Sequence, residues 1–146
     1  MNALPPLLRD QRKTDADQLK LLAIFHFVAA GLALLGIGFL LLHYALMSHL
    51  VFNPGKWQGQ RGAPPQEFFA IFRWFYLVFG VALVGGGICN LLSGMWILAA
   101  RHRAFSLVVA AFNCTQVPLG TVLGVFTIVV LTRDSVRELY EAQPTR

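Results

Sequence analysis

Three long stretches without a charged side chain dominate the pattern of the sequence. They cover residues 21–55, 74–100 and 104–132, and all 12 basic and 7 acidic residues lie outside them. An apolar stretch of about 18 residues or more is long enough to cross the hydrocarbon core of a bilayer. A helix at a protein surface in water needs a polar face, which these stretches lack. The pattern therefore predicts an all-α, three-pass helical integral membrane protein.

The boundaries of the elements follow from charges, caps and helix breakers. We expect a single membrane domain: a polar tail over 1–20, spans over 21–47, 73–100 and 104–132, a loop over 48–72 and a tail over 133–146. The first helix is expected to begin near Thr14–Asp17, which resembles a capping box. In the last tail, Val136, Leu139 and Tyr140 recur at helical spacing and predict a short C-terminal amphipathic helix.

Small residues at helical spacing indicate where the spans pack. Gly86 and Gly94 belong to a row with four-residue spacing in the second span, and Gly120 and Gly124 form a similar pair in the third. Such rows let helices approach closely in a membrane. Pro118 cannot donate to the carbonyl four residues before it, so it predicts a kink in the third span.

Pro118 also leaves a second arrangement of the third tract open. The tract can instead turn back as a re-entrant hairpin of two half-helices, each of about 13 residues and too short to span. Re-entrant backbone has to be buried in protein.

With three spans the Lys and Arg residues divide equally, six to each side. The short basic turn Arg101-His102-Arg103 then favours placing the N-terminus and this turn inside.

A polar layer is expected near the middle of the second and third spans. The short turn at 101–103 makes these spans antiparallel neighbours. Asn90 and Asn113 are equally far from the turn, about 15 to 20 Å along their helices. Two amides at matched depth can hydrogen-bond each other, which removes the cost of burying either one unpaired. The candidate intramembrane layer comprises Asn90, Asn113, Cys114, Thr115 and Gln116.

Two interpretations of this layer remain open. The first is that it holds the helices together, and the second is that it forms a polar site for an ion, a proton or a small ligand. The absence of acidic and basic residues from the three stretches counts against ion or proton coupling. Cys89 and Cys114 also share a depth, but equal depth does not fix rotation about the helix axes, so we expect free thiols.

Other chemistry is not expected. His26 and His43 lie about 25 Å apart along one helix and cannot share a metal or haem, so no cofactor and no metal site is predicted. The sequence has no nucleophile motif, metalloprotease motif or phosphate-binding loop, which predicts a protein that is not an enzyme. The net charge of +5 comes from short flanks of apolar segments, so no nucleic-acid partner is expected.

The third tract carries a family resemblance. Residues 113–131 read NCTQVPLGTVLGVFTIVVL, and with 92–103 and 133–140 they are similar to the last span of a family of small uncharacterised bacterial multi-pass membrane proteins. The resemblance covers about a third of the chain. It implies a bacterial plasma (inner) membrane and transfers no catalytic residue.

The sequence thus predicts a multi-pass membrane protein with a structural, accessory or partner-binding role. Its expected partners are the lipid bilayer and either a larger membrane protein or a second copy of itself. The alternative is a component of a transporter or channel, with Asn90, Asn113 and Gln116 lining a path.

Overall fold

The structure of the chain is a computed structural model that describes residues 6–57 and 65–142. Every regular element in these two ranges is helical. The five α-helices are α1 (Pro6–Leu50), α2 (Gln66–Leu98), α3 (Arg103–Asn113), α4 (Leu119–Leu131) and α5 (Asp134–Glu141), and a short 3-10 turn covers Pro54–Lys56. Residues 58–64 of the predicted loop and the two ends of the predicted tails lie outside the described residues.

The described residues form two compact units. The five-helix unit consists of Met1–Ala30 and Ile88–Arg146, and therefore contains one part each of α1 and α2 with all of α3, α4 and α5. The two-helix unit consists of Gly31–Gly87 and contains the remainder of α1 and α2.

Among the described residues, two helices are long and apolar enough to cross a membrane. They are α1 in its stretch Asp10–Leu50 and α2 in its stretch Glu67–Leu98, with mean hydropathies of 2.3 and 2.0. A third is counted if α4 and α5, which meet at an angle of 73°, are taken as one bent span. Leu34 and Leu35 on α1 are about 70% exposed, as expected for side chains that face lipid.

The first helix begins earlier than predicted. It starts at Pro6, and the hydroxyl of Thr14 donates to the carbonyl of Asp10 inside the helix, 3.0 Å away, instead of capping it. Proline is well suited to a first helical position because it has no N–H to leave unpaired. The polar run 9–20 stays helical because one of its faces is buried, with Asp15 and Leu19 inside the five-helix unit.

The tract over 104–132 is not the one kinked helix expected for a third span but two helices, as in the second arrangement left open by the sequence. The chain leaves α3 at Asn113 and enters α4 at Leu119, so the tract is two helices joined by a turn. Pro118 directly precedes α4 and therefore starts a helix where it was expected to kink one. The hydroxyl of Thr121 donates to the carbonyl of Cys114, 2.9 Å away, which satisfies a carbonyl that a helix broken at proline leaves open.

Two glycines let α4 fold back against α3. A Cβ at Gly120 would lie 2.6 Å from the carbonyl oxygen of Asn113, and one at Gly124 would collide with the carbonyl oxygen of Ala110. Because these neighbours are backbone atoms, only glycine allows so close an approach. The pair predicted to join separate spans thus holds α3 and α4 together as an antiparallel hairpin.

The two ends of the hairpin meet at one end of the five-helix unit, where charged side chains cluster. The Nε of Arg103, at the start of α3, donates to the carbonyl of Leu131, at the end of α4, over 2.7 Å. Arg133 donates to Gln18 of α1 over 2.7 Å and lies 3.7 Å from the carboxylate of Asp15. We call this cluster the charged end: it consists of Asp15, Gln18, Arg103, Leu131 and Arg133.

The predicted C-terminal amphipathic helix is present as α5. Val136 is fully buried, and Leu139 and Tyr140 pack against the same apolar core. That core includes Leu22 of α1 and Ile97 of α2. The apolar face of α5 is therefore used to close the five-helix unit at its charged end.

The two-helix unit is held by aromatic contacts. Tyr76 of α2 and Nδ1 of His43 of α1 form a hydrogen bond of 2.6 Å, and His43 is half-buried between these two helices. Phe52 packs on Phe69 and Phe72, with ring centroids 5.7 and 5.6 Å away.

Candidate functional site

The centre of the five-helix unit holds a buried pair of amides. Asn90 of α2 donates from Nδ2 to Oδ1 of Asn113 of α3 over 3.1 Å, and Asn113 donates from Nδ2 to Oδ1 of Asn90 over 2.8 Å. Both residues are at most 5% exposed. The hydrogen bond expected between amides at matched depth is thus present, and its reciprocal geometry fixes the orientation of both side chains.

His26 of α1 extends the pair. Its Nδ1 lies 2.9 Å from Oδ1 of Asn90, and the side chain is fully buried. Since the amide pair fixes this oxygen as an acceptor, the hydrogen of the neutral imidazole is assigned to Nδ1, which donates to Asn90.

Thr127 of α4 completes the network. Its hydroxyl lies 2.7 Å from the carbonyl of Leu123 and 3.3 Å from Nε2 of His26, and both of these atoms are acceptors for its single hydrogen. Like His26, Thr127 is fully buried. We call the set His26, Asn90, Asn113 and Thr127 the polar network: it links α1, α2, α3 and α4, one side chain from each.

Helical periodicity explains why these side chains converge. His26 continues the buried face of α1 that includes Leu22 and Ala23. Thr127 lies seven residues after Gly120 and three after Gly124, so it is on the face of α4 that packs on α3. The residues that build the helix contacts therefore also aim the polar side chains inward.

The structure separates the predicted layer into two parts. Asn90 and Asn113 belong to the polar network, whereas Cys114, Thr115 and Gln116 lie in the turn between α3 and α4. The hydroxyl of Thr115 donates to the carbonyl of Phe112 over 2.8 Å, and Gln116 is exposed. Cys114 is half-buried and, like Cys89, is a free thiol.

The predicted packing residues also differ in what they contact. A Cβ at Gly94 would lie 2.8 Å from the ring of Phe27 and 3.2 Å from the carbonyl of Ala23, so this glycine brings α2 onto α1. A Cβ at Gly86 would meet nothing within 4 Å. Of the predicted row in α2, Gly94 is therefore the member that the fold requires to be glycine.

Two members of the network were missed in the sequence. His26 was considered only as a metal ligand, and Thr127 was not considered at all. The signal was available, because each polar side chain in an uncharged stretch needs a partner when it is buried. The partners of His26 and Thr127 could not be predicted, because they depend on the rotation of α1 about its axis and on the hairpin that packs α4 against α3.

The network consists of neutral groups that use one another as donors and acceptors. It contains no carboxylate, and no group of three or more His, Cys, Asp or Glu among the described residues is placed to hold a metal ion. Its members lie on stretches without charge, so hydrogen bonds within the protein offset the cost of burying them. This arrangement is suited to fixing the positions of four helices.

The charged end has a different chemistry. Asp15 is 2% exposed beside Arg133, and Oδ2 of this carboxylate has no hydrogen-bond partner in the described part of the chain. The hydroxyl of Tyr140 is likewise buried without a partner there. Burial raises the pKa of Tyr140 to about 12.

The structure thus offers one buried polar network at the junction of four helices and one charged end. The network brings together two of the predicted residues and two that were not predicted. No protein-family model, curated protein or solved structure matches the chain.

Proposed function

We propose that the chain is a small membrane protein with a structural or accessory role, in which the five-helix unit is a rigid body that partners pack against. The observation that carries this proposal is the polar network. Its side chains lie within hydrogen-bonding distance of one another inside the unit, and such polar contacts stabilise helix packing in a membrane.

We further propose that the chain crosses the membrane twice and that α3 and α4 form a re-entrant hairpin. α1 and α2 have the length and hydropathy of spans. The hairpin supports this arrangement because the contact between Arg103 and Leu131 brings both of its ends to one place. Its helices of 11 and 13 residues are each too short to cross about 30 Å of hydrocarbon.

The distribution of basic residues supports the same arrangement. With two spans, nine Lys and Arg residues lie on the side of both termini and three on the side of the loop. The three in the loop are Lys56, Arg61 and Arg73. Basic residues are enriched on the cytoplasmic side, so both termini are assigned to the cytoplasm. The resemblance of residues 113–131 supports a bacterial plasma membrane as the location.

The alternative role is a component of a transporter or channel. A path along Asn90, Asn113 and Gln116 would need continuity between these side chains. The amides of Asn90 and Asn113 are bonded to each other, and Gln116 lies on an exposed turn outside the network. The geometry therefore favours the structural role.

The double variant Asn90→Leu/Asn113→Leu separates the two roles. In the structural role it loosens the five-helix unit and lowers co-purification of partners in mild detergent, because the amide pair no longer joins α2 to α3. The stability is expected to fall by about 1 to 2 kcal/mol.

The same variant is reconstituted in liposomes that report proton and potassium flux. The structural role predicts equal flux with the original protein and with the variant. If the variant remains folded and assembled but loses a flux that the original protein supports, the structural role is wrong.

A further inference from the structure

The turn between α3 and α4 is a non-helical segment that the proposed re-entrant arrangement places inside the membrane. This inference rests on that arrangement. It covers residues 114–118 and is flanked by helices of 11 and 13 residues. These helices carry the turn about 16 to 20 Å from the charged end. With the charged end at the interface, the turn lies near the middle of a hydrocarbon layer about 30 Å thick.

The described part of the chain leaves this turn uncovered. Val117 is 81% exposed and Leu119 is 72% exposed, and the side chains of Thr115, Gln116 and Pro118 are exposed as well. The turn therefore faces whatever surrounds the five-helix unit at that depth.

Polar groups in the turn lack partners. Among the described residues, nothing pairs with the backbone N–H groups of Val117 and Leu119, the carbonyls of Thr115 and Val117, or the side-chain amide of Gln116. Irregular backbone is not found exposed to lipid in the hydrocarbon core, because no water is present to satisfy it. The turn consequently has to be covered by polar groups from elsewhere.

We propose that a second copy of this chain covers the turn, so that two copies pack turn to turn through residues 115–119. The unpaired groups include both donors and acceptors and no charge, which suits a surface that pairs with itself about a two-fold axis. The amide of Gln116 carries a donor and an acceptor in one group. Asn90 and Asn113 display the same reciprocal amide pairing within the chain.

The apolar residues beside the turn fit the same contact. Val117 and Leu119 lie next to the polar groups and are among the most exposed side chains of the five-helix unit. In a contact between two copies they would surround the paired amides and exclude lipid, as apolar residues surround polar hydrogen bonds in other interfaces. The unpaired groups of the turn are neutral, so they do not form a binding site for an anion or a cation.

Cysteine cross-linking in membranes tests the contact. Val117→Cys is introduced with Cys89→Ala and Cys114→Ala, and the membranes are treated with an oxidant that forms disulfides. Val108→Cys is the matched control, because Val108 is 69% exposed on α3 but lies outside the turn. A disulfide-linked dimer of Val117→Cys, with Val108→Cys remaining monomeric, is expected.

Three results overturn the proposal. One is a Val117→Cys protein that stays monomeric under oxidation. Another is rapid reaction of Val117→Cys with a membrane-impermeant maleimide, because this would mean that water in a cavity satisfies the turn. A disulfide-linked product of another mass would identify a different protein as the covering partner and would also overturn it.

A second pair of variants tests the amide directly. Gln116→Leu removes the self-pairing group and is expected to weaken the dimer roughly 3- to 30-fold, measured by energy transfer between labelled chains on dilution in lipid. Thr115→Val is the control, since the hydroxyl of Thr115 is already bonded within its own chain. Equal dimerisation of the two variants contradicts the proposed contact.

Labelling from the two sides separates failure of this inference from failure of the proposed membrane arrangement. Arg101→Cys and Glu138→Cys are expected to react with an impermeant maleimide from the same side. If they react from opposite sides, the re-entrant arrangement itself is wrong. If they react from one side while Val117→Cys stays monomeric, only the second-copy proposal is wrong.

Discussion

At the scale of single residues, His26 shows how one polar side chain joins several helices. It is a fully buried imidazole whose two nitrogens reach α2 and α4, so one side chain links three helices. Polar side chains at such depth persist when each finds a partner, because the surrounding hydrocarbon offers none. His26 is therefore expected to contribute to stability through the network.

His26→Leu is predicted to lower the stability by about 1 to 2 kcal/mol, since it removes the hydrogen bond to Asn90 and the polar contact with Thr127. The measurement is unfolding in mixed micelles with increasing denaturing detergent. His49→Leu is the control, because the side chain of His49 is exposed near the end of α1. Equal midpoints for the two variants would show that the network contributes nothing to the fold.

Gly124 makes the closest approach in the hairpin. Gly124→Ala is predicted to destabilise the protein by about 1 to 3 kcal/mol, because the added Cβ meets backbone atoms of α3 that cannot move aside. Gly85→Ala is the matched control, since a Cβ there meets nothing within 4 Å. The same unfolding assay applies, and an unchanged Gly124→Ala midpoint would argue against the hairpin.

At the scale of elements, α5 shows how a surface helix becomes part of the fold. Its apolar face closes the charged end, and this places the hydroxyl of Tyr140 in a buried position without a partner in the described residues. An unpaired buried hydroxyl costs free energy that a phenyl ring does not. The ring of Tyr140 thus stabilises the core by packing against it, whereas its buried hydroxyl does not.

Tyr140→Phe is predicted to leave stability unchanged or to raise it by up to about 1 kcal/mol near neutral pH. The pH dependence gives a second check. The pKa of Tyr140 is raised to about 12 by burial, so the folded state favours the neutral phenol. The preference of the folded state for the neutral phenol therefore contributes fully to stability below the ordinary pKa of about 10. This contribution is lost as the pH rises towards 12. The difference in stability between pH 9 and pH 11.5 should be smaller in Tyr140→Phe than in the original protein.

The elements also show what the sequence could predict. The helical class, α5 and the bond between Asn90 and Asn113 followed from hydropathy, spacing and depth along a helix. These properties are local or depend on one tight turn. The start of α1 did not follow, because a partly polar helix is held by burial against helices that are distant in sequence.

The hairpin was the main feature that the sequence left open. Pro118 and Gly120 are compatible with a kinked span and with two half-helices. The decision depends on packing between Gly124 and Ala110 and on the bond from Arg103 to Leu131, which a pattern along one chain does not reveal. His26 and Thr127 joined the site only through this packing.

At the scale of the whole molecule, the hairpin is the basis of the proposed two-span topology. Three spans would place the termini on opposite sides and divide the basic residues equally. Two spans with a re-entrant hairpin place both termini on one side with nine of the twelve basic residues. The second arrangement agrees with the enrichment of basic residues on the cytoplasmic side of membrane proteins.

Reporters fused to the chain test this central claim most directly. A fluorescent protein that matures only in the cytoplasm and a phosphatase that is active only outside it are fused after Arg146, and the phosphatase is also fused after Trp57 as a control. The account predicts fluorescence and no phosphatase activity at the C-terminus, with phosphatase activity after Trp57. Phosphatase activity after Arg146 would mean that the last tract crosses the membrane and would contradict the account.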